Sequence, residues 1–173
     1  MVREGETNLD DAVWPPIGTV CAGVYGDVAV LTGYDLTAAQ PSALTTLVAR
    51  LAPDKQACAV LMQSTIDWYA FAVWDRGKLI RSFSASAGDG VLENIGEPLS
   101  FEDAAASPVE RVNEALRTYV GFVQEGRFEF DGVDPEELRV ATFVFADAEA
   151  SRDALREAAG RMILVERQGH AED

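Results

Sequence analysis

The chain has 173 residues, 48% of them hydrophobic and 25% charged, which is enough apolar material for a packed core. Its 29 acidic residues outnumber 14 basic ones, giving a formal charge of -15. That balance argues against a phosphate-neutralising surface for nucleic acid, which needs clustered Lys and Arg, and suits a solvated acidic surface and a basic protein partner.

Residues 1–13 read as a polar lead-in, partly disordered and without the apolar run of a signal peptide. Trp14-Pro15-Pro16 pins the entry to a first strand, Ile17–Tyr25, and Gly26-Asp27 turns it into a second, Val28–Tyr34. Four glycines lie in or beside these strands, but no GxGxxG or GK[ST] spacing makes them a phosphate loop. Pro41 opens a helix to about Ala52, with Leu44, Leu47, Val48 and Leu51 on one face. Ala57–Ser64 is a third strand, apolar on both faces.

The centre of the chain is the run Trp68–Glu102. Trp68, Ala70, Ala72 and Trp74 share one face of a strand and Tyr69, Phe71 and Val73 the other, so this strand should be covered on both sides. The small Ala70 and Ala72 leave room for another backbone to approach. Arg76-Gly77 is a tight hairpin turn, and Lys78–Ser86 returns as a mixed strand with Leu79, Arg81, Phe83 and Ala85 on one face and Ile80, Ser82, Ser84 and Ser86 on the other. A polar loop through Glu93-Asn94-Ile95-Gly96-Glu97-Pro98 follows. Ser107, Pro108 and Glu110 form a capping box for the clearest helix, whose stripe is Val109, Val112, Leu116, Tyr119, Val120 and Val123 and whose stop is Gly126. Beyond an acidic segment at 127–137, Leu138–Phe145 is a strand. Asp147 to Met162 is a last helix, Ile163–Val165 a short strand, and 166–173 a tail.

These elements predict an α+β fold: a mainly antiparallel sheet of about six strands, with two to three helices packed on it. The expected organisation is one globular domain over 14–165. The longest apolar stretch, near 57–73, is interrupted by Gln63, Ser64 and Asp67 and does not span a bilayer, so a cytoplasmic protein without membrane contact is expected. Cys21 and Cys58 are read as buried free thiols.

The sequence offers little for catalysis. His170 is the single histidine and lies in the tail, which argues against Ser-His-Asp, Cys-His and His-rich zinc chemistry. The acidic residues near 131–137 lack EF-hand spacing. The most suggestive polar cluster is Glu93, Asn94, Glu97 and Glu102, beside the serine face of Ser82 and Ser84. Paired carboxylates there are an acid–base pair or a hard-cation site in one reading. In the other they close a turn and cap backbone amides. No cofactor, metal or catalytic residue is assigned.

Several blocks resemble an uncharacterised actinobacterial family, a domain of unknown function. They are Trp14-Pro15-Pro16-x-Gly18-Thr19-Val20-x-Ala22-Gly23, Asp67-Trp68-x-Ala70-Phe71-Ala72-Val73-Trp74-x-x-Gly77-x-Leu79-x-Arg81-Ser82, Glu93-Asn94-Ile95-Gly96-Glu97-Pro98-Leu99-x-Phe101-Glu102, and Gly121-Phe122-Val123-x-Glu125-Gly126. The resemblance covers about 14–126 and implies no activity, ligand or site residue. Members of that family begin with a further strand and helix, and Val140–Ala159 is similar in pattern to that opening unit. A permuted placement of the C-terminal strand and helix is therefore expected. The functional expectation is a non-enzymatic interaction protein, of immunity type in one form, with a basic partner. The alternative is a small hydrolase using carboxylates of the Glu93–Glu102 loop.

Overall fold

In a computed structural model of the chain, the described residues are 1–36, 38–102, 107–119, 134 and 136–145. Among them the strands are Val2–Asn8 (β1), Thr19–Tyr25 (β2), Val28–Gly33 (β3), Gln56–Gln63 (β4), Trp68–Asp75 (β5), Lys78–Ser86 (β6), Gly90–Ile95 (β7) and Arg139–Val144 (β8). The α-helices are Thr45–Leu51 (α1) and Pro108–Tyr119 (α2). The strands form two four-stranded sheets, ordered β1-β8-β2-β3 and β4-β5-β6-β7, and every pairing is antiparallel. The chain divides into two compact units, Met1–Asp35 with Pro135–Asp173, and Leu36–Asp134.

In the first unit, the Gly26-Asp27 turn joins β2 to β3, and Tyr25 pairs with Val28. β8 lies between β1 and β2, with Cys21 opposite Thr142 and Arg3 opposite Phe143. Leu9, Ala12, Thr19, Cys21 and Val140 are buried. Gly23 has a packing reason: a Cβ there would lie 2.7 Å from Val140 Cγ1, so only glycine lets β8 come this close.

In the second unit β5 is the hub. Ala70 through Trp74 are all buried, because both faces of the strand are covered. On one face Phe71 and Val73 pack with Ala115 of α2, and Cys58, Val60, Phe83, Leu99, Phe101 and Tyr119 surround them. The Phe71 and Phe101 rings stand 5.5 Å apart, tilted as aromatic pairs prefer. On the other face the Trp74 indole N–H donates to Thr45 Oγ1 at 3.0 Å, and the single-turn segment Pro41–Leu44 lies close to β5. Arg76 and Gly77 both adopt positive φ, 49° and 71°, as a two-residue hairpin turn requires. A Cβ on Gly77 would come within 3.0 Å of Ala49 Cα, so α1 closes directly over this turn.

α2 begins as its sequence dictates. The Ser107 N–H donates to Glu110 Oε2 at 2.9 Å, and the Glu110 N–H returns a bond to Ser107 Oγ at 3.2 Å. Val112, Ala115 and Leu116 are its buried face.

The fold is therefore mostly β, and the α+β expectation is corrected. Two strands were hidden from pattern reading. β1 falls within the expected lead-in; it pairs on one side only and its side chains are largely exposed, so burial selects no apolar alternation there. β7 falls within the expected polar loop; it too is an edge strand, opened by Gly90 at φ 73°. The expected helix from Pro41 to Ala52 is a 3-10 turn over Pro41–Leu44 followed by only seven α-helical residues. The helix expected at 147–162, the strand at 163–165 and the end of the α2 stripe from Val120 to Gly126 lie outside the described residues. Of the expected C-terminal unit, the strand half is present as β8.

Candidate functional site

The serine face of β6 organises the polar interior of the second unit. Because side chains alternate, Ser82, Ser84 and Ser86 look the same way, toward the face that carries Trp68 and Trp74. Ser82 and Ser84 are fully buried, so their hydroxyls need partners. Ser84 Oγ accepts the Trp68 indole N–H at 3.0 Å. Ser82 Oγ donates to Glu93, which lies diagonally across the β6–β7 pairing. Ser86 Oγ donates to Asp89 Oδ2 at 3.1 Å and accepts the Asp89 N–H at 3.0 Å.

Glu93 ties this face to the Pro41–Leu44 turn. It accepts the Ser42 N–H at 3.0 Å, and the Ser42 hydroxyl donates to its second oxygen. Burial alone raises the Glu93 carboxyl, but donation from the Ser42 and Ser82 hydroxyls and the Ser42 amide outweighs it, and the group is held below the usual carboxylate range. Such a carboxylate is a poor general acid near neutral pH.

On the opposite face Arg81 is buried and bidentate to Glu102: Nε to Oε1 at 2.7 Å and Nη2 to Oε2 at 2.8 Å. Its Nη1 donates to Asn94 Oδ1 at 2.6 Å and to the carbonyls of Ile95 and Gly96 at 3.0 and 3.1 Å. Glu102 Oε1 also accepts the Leu99 N–H at 2.7 Å. The guanidinium thus clamps β7 and the following turn onto β6. Gly96 turns at φ 81°, and a Cβ there would fall 2.1 Å from the Ile80 carbonyl oxygen. No side chain fits that position.

Of the residues singled out from sequence, Ser82 and Glu93 meet each other, Ser84 meets Trp68, and Asn94 and Glu102 meet Arg81. Glu97 is exposed, so Glu93 and Glu97 sit in different environments, one among hydroxyls and one in solvent. Pattern reading missed Ser42 and Arg81. Arg81 carried a signal: it is a charged residue among Leu79, Phe83 and Ala85 on one strand face, which implies a buried acidic partner. Among the described residues, no group of three or more His, Cys, Asp or Glu is placed to hold a metal ion, and no helix is long and apolar enough to cross a membrane. Cys21 and Cys58 are both free; desolvation against the Phe71–Val73 cluster pushes the Cys58 thiol up to about 12, which makes it unreactive.

Residues 1–108 match a family of unknown function, DUF6928. The chain belongs to this family. No curated protein and no solved structure matches it. The DUF6928 match takes in β1 to β7 and hence every member of the polar network, from Ser42 to Glu102. It begins at residue 1, earlier than the motif blocks that start at Trp14, and so includes the edge strand β1. β8 and nearly all of α2 fall beyond it.

Proposed function

We propose that this DUF6928 member is a cytoplasmic, non-enzymatic binding protein whose acidic surface engages a basic protein. The observation that carries this reading is the closure of the polar cluster. Both Glu93 oxygens are occupied by Ser42 and Ser82, and both Glu102 oxygens by Arg81. The groups that chemistry would need serve instead to fix β6, β7 and the Pro41–Leu44 turn. What remains for recognition is surface, and that surface belongs to a chain with net charge -15. Long-range attraction of this kind speeds encounter with a basic partner and weakens as salt is added. An immunity-type protein that neutralises a basic toxin is one form of this reading.

The test is a pull-down with the tagged full chain from native host lysate at low and at high salt, read by mass spectrometry. A stoichiometric basic protein retained at low salt and lost at high salt is the expected result. Absence of any partner, or binding indifferent to salt, overturns the reading.

A further inference from the structure

A shallow depression of about 370 Å³ opens at one end of the second sheet, with Ile66, Trp68, Leu92, Ser86 and Asp89 in its wall. Its volume is at the small end of ligand pockets, which run ~300–1,000 Å³, and suits one long side chain better than a cofactor. Its two principal walls are held in place by β6. Trp68 is fixed through its indole N–H by buried Ser84, and Asp89 is fixed twice by Ser86. The aromatic ring and the carboxylate are therefore set before any ligand arrives, so little ordering is lost on binding.

Charge decides what fits. The wall contains an acidic residue and no Lys or Arg, and among the described residues no cation is paired with Asp89. A second exposed carboxylate, Asp67, directly precedes Trp68 at φ 46°, and its carbonyl accepts the Ala87 N–H at 3.2 Å, tying the two rims together. Ile66 is 55% exposed beside them and adds apolar surface. Indole, carboxylate and aliphatic wall together match a guanidinium on a carbon stem, which stacks on an aromatic face while its N–H groups reach a carboxylate.

We propose that this depression receives a single arginine side chain of the basic partner. The proposal rests on the acidic-binder reading and names the point where it is anchored. Tryptophan and arginine are the residue types that dominate such anchors.

The probes are the peptide acetyl-Gly-Arg-Gly-amide and its counterpart with the neutral isostere citrulline. They are titrated into the ¹⁵N-labelled full chain while the indole N–H signals of its three tryptophans are followed, with Trp68→Phe assigning the relevant one. The arginine peptide is expected to move the Trp68 signal saturably, with the citrulline peptide about tenfold weaker. Asp89→Asn, whose amide oxygen still accepts from Ser86, should bring the arginine peptide down to the citrulline level without changing the rest of the spectrum. Equal response to both peptides, a response unaffected by Asp89→Asn, or no movement up to ~20 mM peptide overturns the proposal. The two readings fail separately. A salt-sensitive basic partner still captured by Asp89→Asn leaves the acidic binder standing and removes this anchor. A Trp68 response to arginine with no partner in the lysate does the reverse.

Discussion

The two sheets have the same strand count and the same antiparallel pairing, yet they are built differently. The second covers its central strand on both sides and buries five consecutive residues of it, Ala70 to Trp74. It also carries three buried charged groups, Arg81, Glu93 and Glu102, that are hydrogen-bonded. In the first sheet only Thr19, Cys21 and Val140 are buried among the described strand residues. Its apolar residues are often left in solvent: Val24 is 71% exposed and Leu31 43%. The difference teaches where sequence is constrained. In the second unit a side chain is tied to neighbours by both packing and hydrogen bonds, so a change there propagates. In the first, Val24 and Leu31 leave the outer face of the β2–β3 hairpin exposed.

The largest test of that contrast is Arg81→Ala. It leaves Glu102 buried without its counter-charge, Asn94 and two carbonyls without a donor, and β7 without its clamp. A loss of about 3–5 kcal/mol is expected in urea unfolding at neutral pH. Arg81→Met with Glu102→Leu should recover much of it, since removing both charges also removes the desolvation burden. A single variant as stable as the parent would show that the guanidinium holds nothing.

A smaller effect is expected at Glu93 and is set by pH. Its folded-state value lies below the ordinary 4.5, so the unfolded chain binds the proton more readily. Its contribution is fully present above that unfolded value and is lost as pH falls through the lower folded one. Glu93→Gln should therefore flatten the decline in stability on acidification below about pH 4.5. Parallel stability curves for parent and variant, measured by urea melts from neutral to acidic pH, would contradict this.

The smallest effect belongs to the first sheet. Val24→Thr exchanges one β-branched residue for another at an exposed position, and a change within about 0.5 kcal/mol is expected. A loss of several times that in thermal melts would mean that Val24 lies under a contact, and the contrast between the sheets would narrow.

Much of the second unit was legible in the sequence. Alternation along Trp68–Asp75 gave the doubly covered strand, Arg76-Gly77 gave the hairpin, and Ser107 with Glu110 gave the start of α2. The alternative in which Glu93 caps a backbone amide also matches, at Ser42. What stayed hidden has a common cause. β1 and β7 are edge strands, and an edge strand pairs on one side and carries no obligatory apolar stripe. The Arg81–Glu102 pair joins residues 21 apart across two turns, and nothing local in the sequence records which carboxylate a buried arginine will find.

The position of β8 bears on how the molecule is made. The second unit is one continuous stretch, Leu36–Asp134, whereas the first is assembled from both ends of the chain. During synthesis the β2–β3 hairpin and the whole of β4 to β7 emerge before β8. The described pairing of β1 is with β8 alone, so β1 has no strand to join until residue 144 has left the ribosome. The first sheet closes last, by pairing residues 2–8 with 139–144, and contacts so distant in sequence slow folding. A nascent chain stalled at residue 108, where the family match ends, would hold all four strands of the second sheet and leave the central gap of the first unfilled.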